Sequence, residues 1–309
     1  MKSTILRLEL DSIIKVSPMS NLNVGVLGTG NIGTDLLVKL SRLEFINNLV
    51  FVGRRSDSKG IEFVKNKFDI EVSTDGIDYF KDKKFDVVFD CTNANDAISH
   101  SKTFQDLGTY VIDLTPAKIG NFFIPAINPE DIKITNNINL VTCGGQASIP
   151  IIALVSSLLD VEYVEVVSQI SSRSAGLSTR FNIDNYIETT EDAITKFSGV
   201  QNCKAILNVN PAEPCVDMQT TVFFKTDNNL LEDITPVNEK INLLSLKLNE
   251  YIPKYQINVP LTKIKDGIAA INIKVEGSGD YLPSYAGNLD IINCAAIKAL
   301  ELFYEEYHN

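Results

Sequence analysis

The chain has 309 residues, of which 44% are hydrophobic and 22% charged, a composition typical of globular proteins and a length that accommodates about two domains. Its 28 basic and 39 acidic residues give a net charge of -11, which disfavours nucleic acid and anionic membrane surfaces as partners. No segment reaches the roughly 20 consecutive apolar residues of a membrane-spanning helix. Glu9, Asp11 and Lys15 interrupt any signal-peptide core, so we expect a cytoplasmic protein.

Residues 1–18 are predicted to form an extension that precedes the first structural motif. From Leu22 the sequence predicts a strand, a glycine-rich turn and a helix, followed by a second apolar run at 49–53. Two later apolar runs, at 86–92 and 109–115, are short and β-branched and end in Asp or Thr. Buried parallel strands that finish at a ligand-binding crevice have this pattern. This part of the chain is therefore predicted to be a doubly wound α/β unit with a parallel sheet.

The rest of the chain has a different pattern. Longer alternating strands at 163–172 and 269–279, with a helix around 233–250, predict a second domain of α+β type. The final segment, 288–307, is predicted to be a helix that packs back on the first domain. Its apolar residues lie near one helical face: Ile291, Ile292, Ala295, Ala299 and Phe303.

Gly28, Gly30 and Gly33 form a G-x-G-x-x-G motif directly between the first strand and the first helix. Glycine lets the backbone approach a pyrophosphate, while a helix that begins near Asn31 presents unpaired N–H groups and the positive end of its dipole. Because the motif lies in a complete strand–turn–helix unit, it predicts a dinucleotide site rather than a turn without a ligand.

An acidic residue that binds the ribose hydroxyls is expected at the end of the second strand, about 20 residues after the glycines. This chain has Arg54 and Arg55 there. Three interpretations stay open: the guanidinium groups bind the 2′-phosphate of NADP, Asp57 reaches the ribose of NAD, or both arginines are simply solvated.

Cys143 differs from the other cysteines because it follows an apolar strand and precedes Gly144, Gly145 and a helical pattern. At a helix N-terminus its pKa is expected to be lowered towards the reactive thiolate, and the amides of the two glycines are predicted to face a substrate oxyanion. The remaining cysteines are interpreted as small core residues: Cys91, Cys203, Cys215 and Cys294. Five scattered cysteines without a C-x-x-C pair predict no disulfide framework and no metal site.

The segment VTCGGQASIP around Cys143 resembles the cysteine segment of the coenzyme A (CoA)-acylating acetaldehyde dehydrogenases. Three further blocks are similar to other signature segments of that family, in the same order. They are SSRSAGLSTRFNIDNYIETT at 171–190, LNVNPAEP at 207–214 and YLPSYAGNLDI at 281–291. The resemblance extends from Asn23 to the C-terminal helix.

The resemblance implies a glyceraldehyde-phosphate dehydrogenase-like fold, with a Rossmann-type dinucleotide-binding domain at 19–138 plus 286–309 and an α+β catalytic and dimerisation domain at 139–285. It implies a homodimer that uses NAD, or NADP if Arg54 and Arg55 bind its phosphate, with a small aldehyde and CoA as substrates. A 4-hydroxy-2-oxoacid aldolase is a further candidate partner. Cys143 matches the acyl-thioester nucleophile. The predicted cofactor contacts are Gly28, Thr29, Gly30, Asn31, Ile32, Ser174, Ala175, Gly176, Leu177, Ser178, Thr179, Arg180, Phe181, Asn182 and Asn288.

The implied reaction has two halves. The Cys143 thiolate attacks the aldehyde, a hydride passes to the nicotinamide, and the thiol of CoA then displaces the acyl group from the resulting thioester. The reverse direction, reduction of an acyl-CoA, is equally compatible with the sequence.

One position departs from the family pattern. Thr220 aligns where these enzymes usually carry an aspartate that assists proton transfer at the cysteine. Threonine is not a general base at neutral pH, so either Asp217 takes over, or the helix terminus alone activates the thiol, or the reaction differs. The alternative function is therefore a relative that acts on a different aldehyde or acyl donor, in the reductive direction of a biosynthetic pathway. Retention of Cys143 and of the glycine motifs argues against a catalytically silent relative.

The chain contains two histidines, His100 and His308, both of which are expected at the surface. Aspartate and acyl-phosphate semialdehyde dehydrogenases share the implied architecture but are expected to pair the cysteine with a histidine. The low histidine count therefore argues against those two enzyme classes.

Overall fold

The first of two β-sheets is parallel throughout. The computed structural model describes residues 21–226, 233–265 and 267–308, so the predicted extension at 1–18 lies outside the described residues. The strands of this sheet are β1 (Leu22–Leu27), β2 (Ile46–Val52), β3 (Glu71–Ser73), β4 (Val87–Asp90), β5 (Tyr110–Asp113), β6 (Asn121–Phe122) and β7 (Asn137–Asn139). They pair in the order β3-β2-β1-β4-β5-β7-β6. The order in which successive strands are added to the sheet therefore reverses between β1 and β4. Open α/β sheets bind their ligands at such a reversal.

Helices cover both faces of this sheet. The helices of the described residues are α1 (Asn31–Leu40), α2 (Lys59–Lys67), α3 (Ala94–Leu107), α4 (Cys143–Leu158), α5 (Leu177–Phe181), α6 (Ile183–Ser198), α7 (Thr235–Asn249) and α8 (Gly287–His308). Apolar residues of α1, α2 and α8 share one buried cluster with Val24 and Phe89 of the sheet. Phe104 of α3 packs on the opposite face, against Val88 and Val111. Burial on both faces explains why these strands are continuous apolar runs.

The second sheet is mixed and belongs to the α+β part of the chain. Its strands are β8 (Val161–Ser171), β9 (Cys203–Asn210), β10 (Met218–Thr226), β11 (Tyr255–Lys265) and β12 (Ile268–Val275). The order is β11-β12-β10-β8-β9, with β8 and β9 parallel and the other pairs antiparallel. Every second residue of β8 and β10 is buried beneath α4, α6 and α7, as a sheet covered on one face requires. The predicted combination of a Rossmann-type sheet and an α+β domain is thus confirmed.

The C-terminal helix α8 joins the two parts. Ile292, Ala299 and Phe303 lie in the core of the first domain, as the periodicity of the sequence predicted. Ile291, in contrast, belongs to the core of the second domain, because α8 also packs against α4. Among the described helices none is long and apolar enough to cross a membrane.

A buried ion cluster reinforces this junction. The Lys39 ammonium on α1 lies 2.8 Å from Asp35, 2.7 Å from Asp280 and 3.0 Å from Asp290 of α8. The Lys39 side chain is only 7% exposed. The surrounding carboxylates raise its pKa further above the usual range although burial acts in the opposite direction, so Lys39 is charged and holds three acidic groups together.

Candidate active site

A cavity of about 740 Å³ opens at the carboxyl ends of β1, β4 and β5 and extends to the N-terminus of α4. It brings together the glycine turn, the loop after β2, Cys143 and the segment that follows β8. The predicted contacts that line it are Gly28, Thr29, Gly30, Asn31, Ile32, Ser174, Ala175, Gly176, Leu177, Ser178, Thr179, Arg180, Asn182 and Asn288. Phe181 does not line the cavity, and its side chain is 83% exposed.

The three glycines of the turn have different roles. Gly28 has a φ of 117°, and a Cβ there would lie 2.5 Å from the carbonyl oxygen of Cys91. A Cβ on Gly33 would lie 1.9 Å from the carbonyl oxygen of Gly28, so this glycine lets α1 pack against the turn. Gly30 would meet nothing within 4 Å, because its α-carbon faces the open cavity. Of the three, only Gly30 therefore has open space on the side where a side chain would stand.

This turn fits the pyrophosphate of a dinucleotide. No side chain of the described residues caps α1, so the amide groups of its first turn stay available to an anion. Thr29 is held in place by Ser58, whose hydroxyl donates a 3.0 Å hydrogen bond to the Thr29 carbonyl. At the other end of the cavity the Oδ1 of Asn288 is buried and has no partner among the described residues, so it can accept from an amide group such as that of nicotinamide.

Arg54 and Arg55 lie at the edge of the cavity beyond β2. Arg54 forms an ion pair with Asp96, and Arg55 binds Asp57 through two hydrogen bonds of 3.0 and 2.8 Å. Asp57 is therefore already engaged by a guanidinium group, while both arginines remain mostly exposed and within reach of a phosphate. Neither arginine is merely solvated.

Cys143 is the first residue of α4, and Thr142 caps this helix. The amide of Gly144 is directed at the Cys143 sulfur and lowers its pKa, but burial has the larger effect and raises the pKa of the thiol to about 11. The prediction of a lowered pKa was therefore wrong for the free protein. The helix terminus contributes as expected, yet the sulfur lies against the core, where the charged form loses its hydration.

The predicted oxyanion contacts are only partly present. The amide of Gly145 donates a 2.9 Å hydrogen bond to the Thr142 hydroxyl and is unavailable to a substrate. That hydroxyl lies 2.9 Å from Thr190 on α6, which fixes the cap. Of the two glycines, Gly144 keeps its amide near the sulfur, where this amide and that of Cys143 both point towards the thiol.

A cluster of buried hydroxyl groups surrounds the thiol, and the sequence did not identify it. Tyr186 of α6 lines the cavity beside Cys143, and its hydroxyl affects the pKa of the thiol. Ser168 of β8 lies beneath it and is 3.1 Å from the hydroxyl of Thr220 on β10. Thr220 is thus separated from Cys143 by the hydroxyl groups of Ser168 and Tyr186, in the part of the site where the family resemblance placed it.

Asp217, the alternative base, does not reach the cavity. Its carboxylate pairs with Lys274 at 2.9 Å and does not line the cavity. The suggestion that Asp217 replaces the aspartate expected at Thr220 is therefore unsupported.

The prediction that His100 lies at the surface was wrong. The side chain is 7% exposed, its Nδ1 lies 2.8 Å from Asp90, and it lines the cavity. Asp90 and Asp113 end neighbouring parallel strands, so the two carboxylates are brought together, and burial with the nearby Asp90 charge raises the pKa of Asp113 to about 8. The side chain of His308 lies outside the described residues. Within the described residues, no group of His, Cys, Asp and Glu side chains is arranged to hold a metal ion.

The segment after β8 closes the cavity opposite the glycine turn. Asn31 donates a 3.3 Å hydrogen bond to the carbonyl of Ser174, which joins the first helix to this segment. Residues Leu177–Phe181 form the short helix α5. The first four residues of this helix line the cavity, and Phe181 at its end does not.

Comparison with known proteins agrees with this geometry. A family model described as prokaryotic acetaldehyde dehydrogenase, dimerisation, matches residues 143–283, and one described as semialdehyde dehydrogenase, NAD binding domain, matches residues 23–135. A protein named acetaldehyde dehydrogenase from Spirochaeta aurantia is 46% identical over 291 residues, which cover 93% of this chain and 96% of that protein. Another of the same name from Pectobacterium atrosepticum is 48% identical over 294 residues, or 92% of this chain and 97% of the relative.

Solved structures share the architecture at much lower identity. Aspartate semialdehyde dehydrogenase II from Vibrio cholerae matches with a TM-score of 0.63 and 12% identity, covering 93% of this chain and 99% of that chain. A similar protein from Pseudomonas aeruginosa, described as a probable aspartate-semialdehyde dehydrogenase, has the same TM-score and identity. At this identity the likeness shows the fold alone.

Proposed function

The chain belongs to the acetaldehyde dehydrogenase family, and on that premise we propose that it is a CoA-acylating aldehyde dehydrogenase. In this proposal acetaldehyde, or a similarly small aldehyde, reacts with CoA and NAD(P)⁺ to give acyl-CoA and NAD(P)H. The observation that carries it is the position of Cys143, whose thiol opens into the same cavity as the glycine turn and Asn288. A nucleophile and a dinucleotide cradle in one cavity are what oxidation of a thiol-bound aldehyde requires.

In the first half of the reaction the Cys143 thiolate adds to the aldehyde carbon. A nicotinamide cofactor held by the glycine turn and Asn288 would supply the hydride acceptor, and loss of hydride from the adduct would leave Cys143 as a thioester. Thr142 fixes the start of α4, and the amide of Gly144 stabilises negative charge on the sulfur. In the second half the thiol of CoA attacks the thioester carbonyl, acyl-CoA leaves, and the Cys143 thiolate is restored.

The dinucleotide domain matches an NAD-binding family, which supports NAD as the cofactor. We propose that NADP is also accepted, because Arg54 and Arg55 lie at the rim where a 2′-phosphate would approach and Asp57 is held by Arg55. An aspartate free to bind the ribose hydroxyls would instead repel that phosphate.

The dimerisation-domain match supports a homodimer, and we propose that the five-stranded sheet region forms its interface. A 4-hydroxy-2-oxoacid aldolase that delivers the aldehyde stays a prediction, as does a cytoplasmic location. The domain bounds at 19–138 plus 286–309 and at 139–285 are likewise proposed.

A second candidate function is favoured by one observation. Among the described residues, the only side chain that shifts the pKa of Cys143 is Tyr186, and Thr220 places a hydroxyl where a carboxylate was expected. A relative that acts on a different acyl group, in the direction of acyl-CoA reduction, is therefore the alternative.

The two functions are distinguished by following both products at once. Enzyme, CoA and either NAD or NADP are mixed with acetaldehyde and with longer aldehydes, and the reduced cofactor and acyl-CoA are measured together. Equal formation of both with acetaldehyde is expected. Formation of neither with any small aldehyde would refute the proposal, and turnover confined to a longer substrate would favour the alternative.

The nucleophile is tested by intact mass. Wild-type enzyme incubated with aldehyde and cofactor but without CoA should carry an acyl adduct, and Cys143→Ser should not. Cys215→Ser, a thiol that does not line the cavity, is the matched control and should keep the adduct. An adduct that survives Cys143→Ser would assign the reaction to another cysteine.

A further inference from the structure

The hydroxyl of Tyr186 is an unusual group within this cavity. It is fully enclosed, and among the described residues it makes no well-aligned hydrogen bond. Burying a hydroxyl group without a hydrogen-bond partner costs free energy. We therefore expect the Tyr186 hydroxyl to have a function that is not visible in the free protein.

The Tyr186 hydroxyl lies beside Cys143. The Tyr186 hydroxyl and the Ser168 hydroxyl both lie against the α-carbon of Gly144, the residue that follows the nucleophile. A Cβ on Gly144 would lie 2.1 Å from the Tyr186 oxygen and 2.4 Å from the Ser168 oxygen. Glycine at this position therefore leaves the space that the two hydroxyl groups occupy beside the thiol.

Ser168 has a hydrogen-bond partner below the thiol. Its hydroxyl is 3.1 Å from that of Thr220, in a directly opposed pair of β8 and β10, and both side chains are buried. The main-chain carbonyl of Tyr186 accepts a 2.7 Å hydrogen bond from the Thr190 hydroxyl, which also contacts the cap of α4, so this turn of α6 is tied to the start of α4. The Tyr186 phenol lies within hydrogen-bonding reach of the sulfur.

We propose that Tyr186 is a catalytic residue of this enzyme, whose hydroxyl donates a hydrogen bond to the Cys143 sulfur whenever that sulfur is a thiolate. The proposal rests on the proposed function only in taking Cys143 as the nucleophile. The phenol keeps its proton throughout. It stabilises the thiolate before the sulfur attacks the aldehyde, and again when CoA displaces the acyl group and the sulfur leaves as an anion.

The pKa shifts at this site agree with a Tyr186 hydroxyl that donates a hydrogen bond rather than one that acts as a base. Burial raises the pKa of Tyr186 well above its usual range, and the neighbouring thiolate raises it further, so the phenol is protonated at neutral pH. Tyr186 in turn lowers the pKa of Cys143, together with the amide of Gly144. In the described part of the chain no carboxylate or ammonium group contributes to that shift, and Tyr186 is the only side chain that lowers the pKa of Cys143 through a hydrogen bond.

The test is the alkylation of Cys143 in the free enzyme, followed by mass spectrometry on the peptide that contains it. Tyr186→Phe removes the hydroxyl and keeps the ring. Because a hydrogen bond to a charged group is worth about one pKa unit or more, the rate constant for iodoacetamide at about pH 8 should fall about tenfold. Tyr251→Phe is the matched control, since its hydroxyl is also buried without a partner but lies outside the cavity, and its rate should not change.

An unchanged rate in folded Tyr186→Phe would overturn the proposal. If that variant fails to fold, Ser168→Ala decides between the two hydroxyl groups, because it removes the serine that competes with the sulfur for the phenol and should keep or raise the rate. A tenfold loss in Ser168→Ala would assign the donor to the serine and reject Tyr186. The assay uses neither aldehyde nor CoA, so it gives an answer even if the proposed substrates are wrong.

Discussion

Substituting Gly30 and Gly33 one at a time separates the folding role of the glycine turn from its binding role. In Gly33→Ala the new methyl group would lie 1.9 Å from the Gly28 carbonyl oxygen, which is backbone and cannot move without displacing α1 from β1. Overpacking of this kind costs roughly 2 kcal/mol. The thermal midpoint of unfolding should fall by roughly 3 °C for a chain of this size.

Gly30→Ala should behave in the opposite way. The backbone at Gly30 has a φ of -78°, which alanine adopts freely, and the methyl group meets no protein atom within 4 Å. Unfolding stability should therefore match or slightly exceed that of the parent, by up to about 1 kcal/mol. The methyl group would, however, occupy the space through which a pyrophosphate reaches the first amides of α1. Loss of one such charge-assisted hydrogen bond should raise the dissociation constant for NAD at least about tenfold.

The assay pairs calorimetric unfolding without cofactor with titration of NAD into each variant. The expected pattern is a stable Gly30→Ala protein that binds poorly and a Gly33→Ala protein whose unfolding midpoint drops. If Gly30→Ala binds NAD as tightly as the parent, the turn does not hold the pyrophosphate, and the argument from the open space at Gly30 is refuted.

Three other perturbations test separate parts of the structure. Arg54→Ala combined with Arg55→Ala should raise the Michaelis constant for NADP far more than that for NAD. An equal effect on both constants would show that the arginines do not bind the 2′-phosphate. Lys39→Met should lower the free energy of unfolding by roughly 3 kcal/mol, because the buried Asp35 and Asp290 lose their cation while Asp280 keeps only Arg42, and chemical denaturation measures the loss. Alkylation of Cys143 in the free enzyme should accelerate about tenfold per pH unit from neutrality towards its pKa of about 11, since the reactive thiolate is the minor form below that value; a plateau near pH 8 would contradict the effect of burial.

Much of the fold is accessible from local patterns. The strand–turn–helix at Leu22, the apolar runs that end at Asp90 and Asp113, and the amphipathic C-terminal helix each have a period or a flanking signal that the structure confirms. The contact of α8 with both domains was not predicted, because Ile291 and Ile292 are adjacent and a periodicity does not say which of two cores a face meets.

Some residues of the candidate site could also be predicted from the sequence, and others could not. Short local motifs predicted Gly28, Gly30 and Cys143 as site residues. The residue types and the spacing of these motifs, within a few positions of the chain, are those that the chemistry needs. His100 was wrongly predicted to lie at the surface. Its partner, Asp90, belongs to a strand, and their pairing depends on how α3 lies over the sheet. Tyr186 was overlooked for a related reason: its block resembles the family as a whole, and nothing in it distinguishes the residue that faces the thiol.

The sequence by itself determined the order of elements, the glycine turn and the cysteine that we propose as the nucleophile, all of which are properties of short segments. Only the tertiary structure decided which groups surround the thiol of that cysteine. The pKa of Cys143 depends on the water excluded by residues far away in sequence and on the hydroxyl groups that α6, β8 and β10 bring to it. Desolvation and hydrogen bonding act through space, so only the packed chain reveals that the effect of burial on this pKa exceeds that of the helix terminus, and that the Tyr186 hydroxyl opposes burial together with the backbone amides.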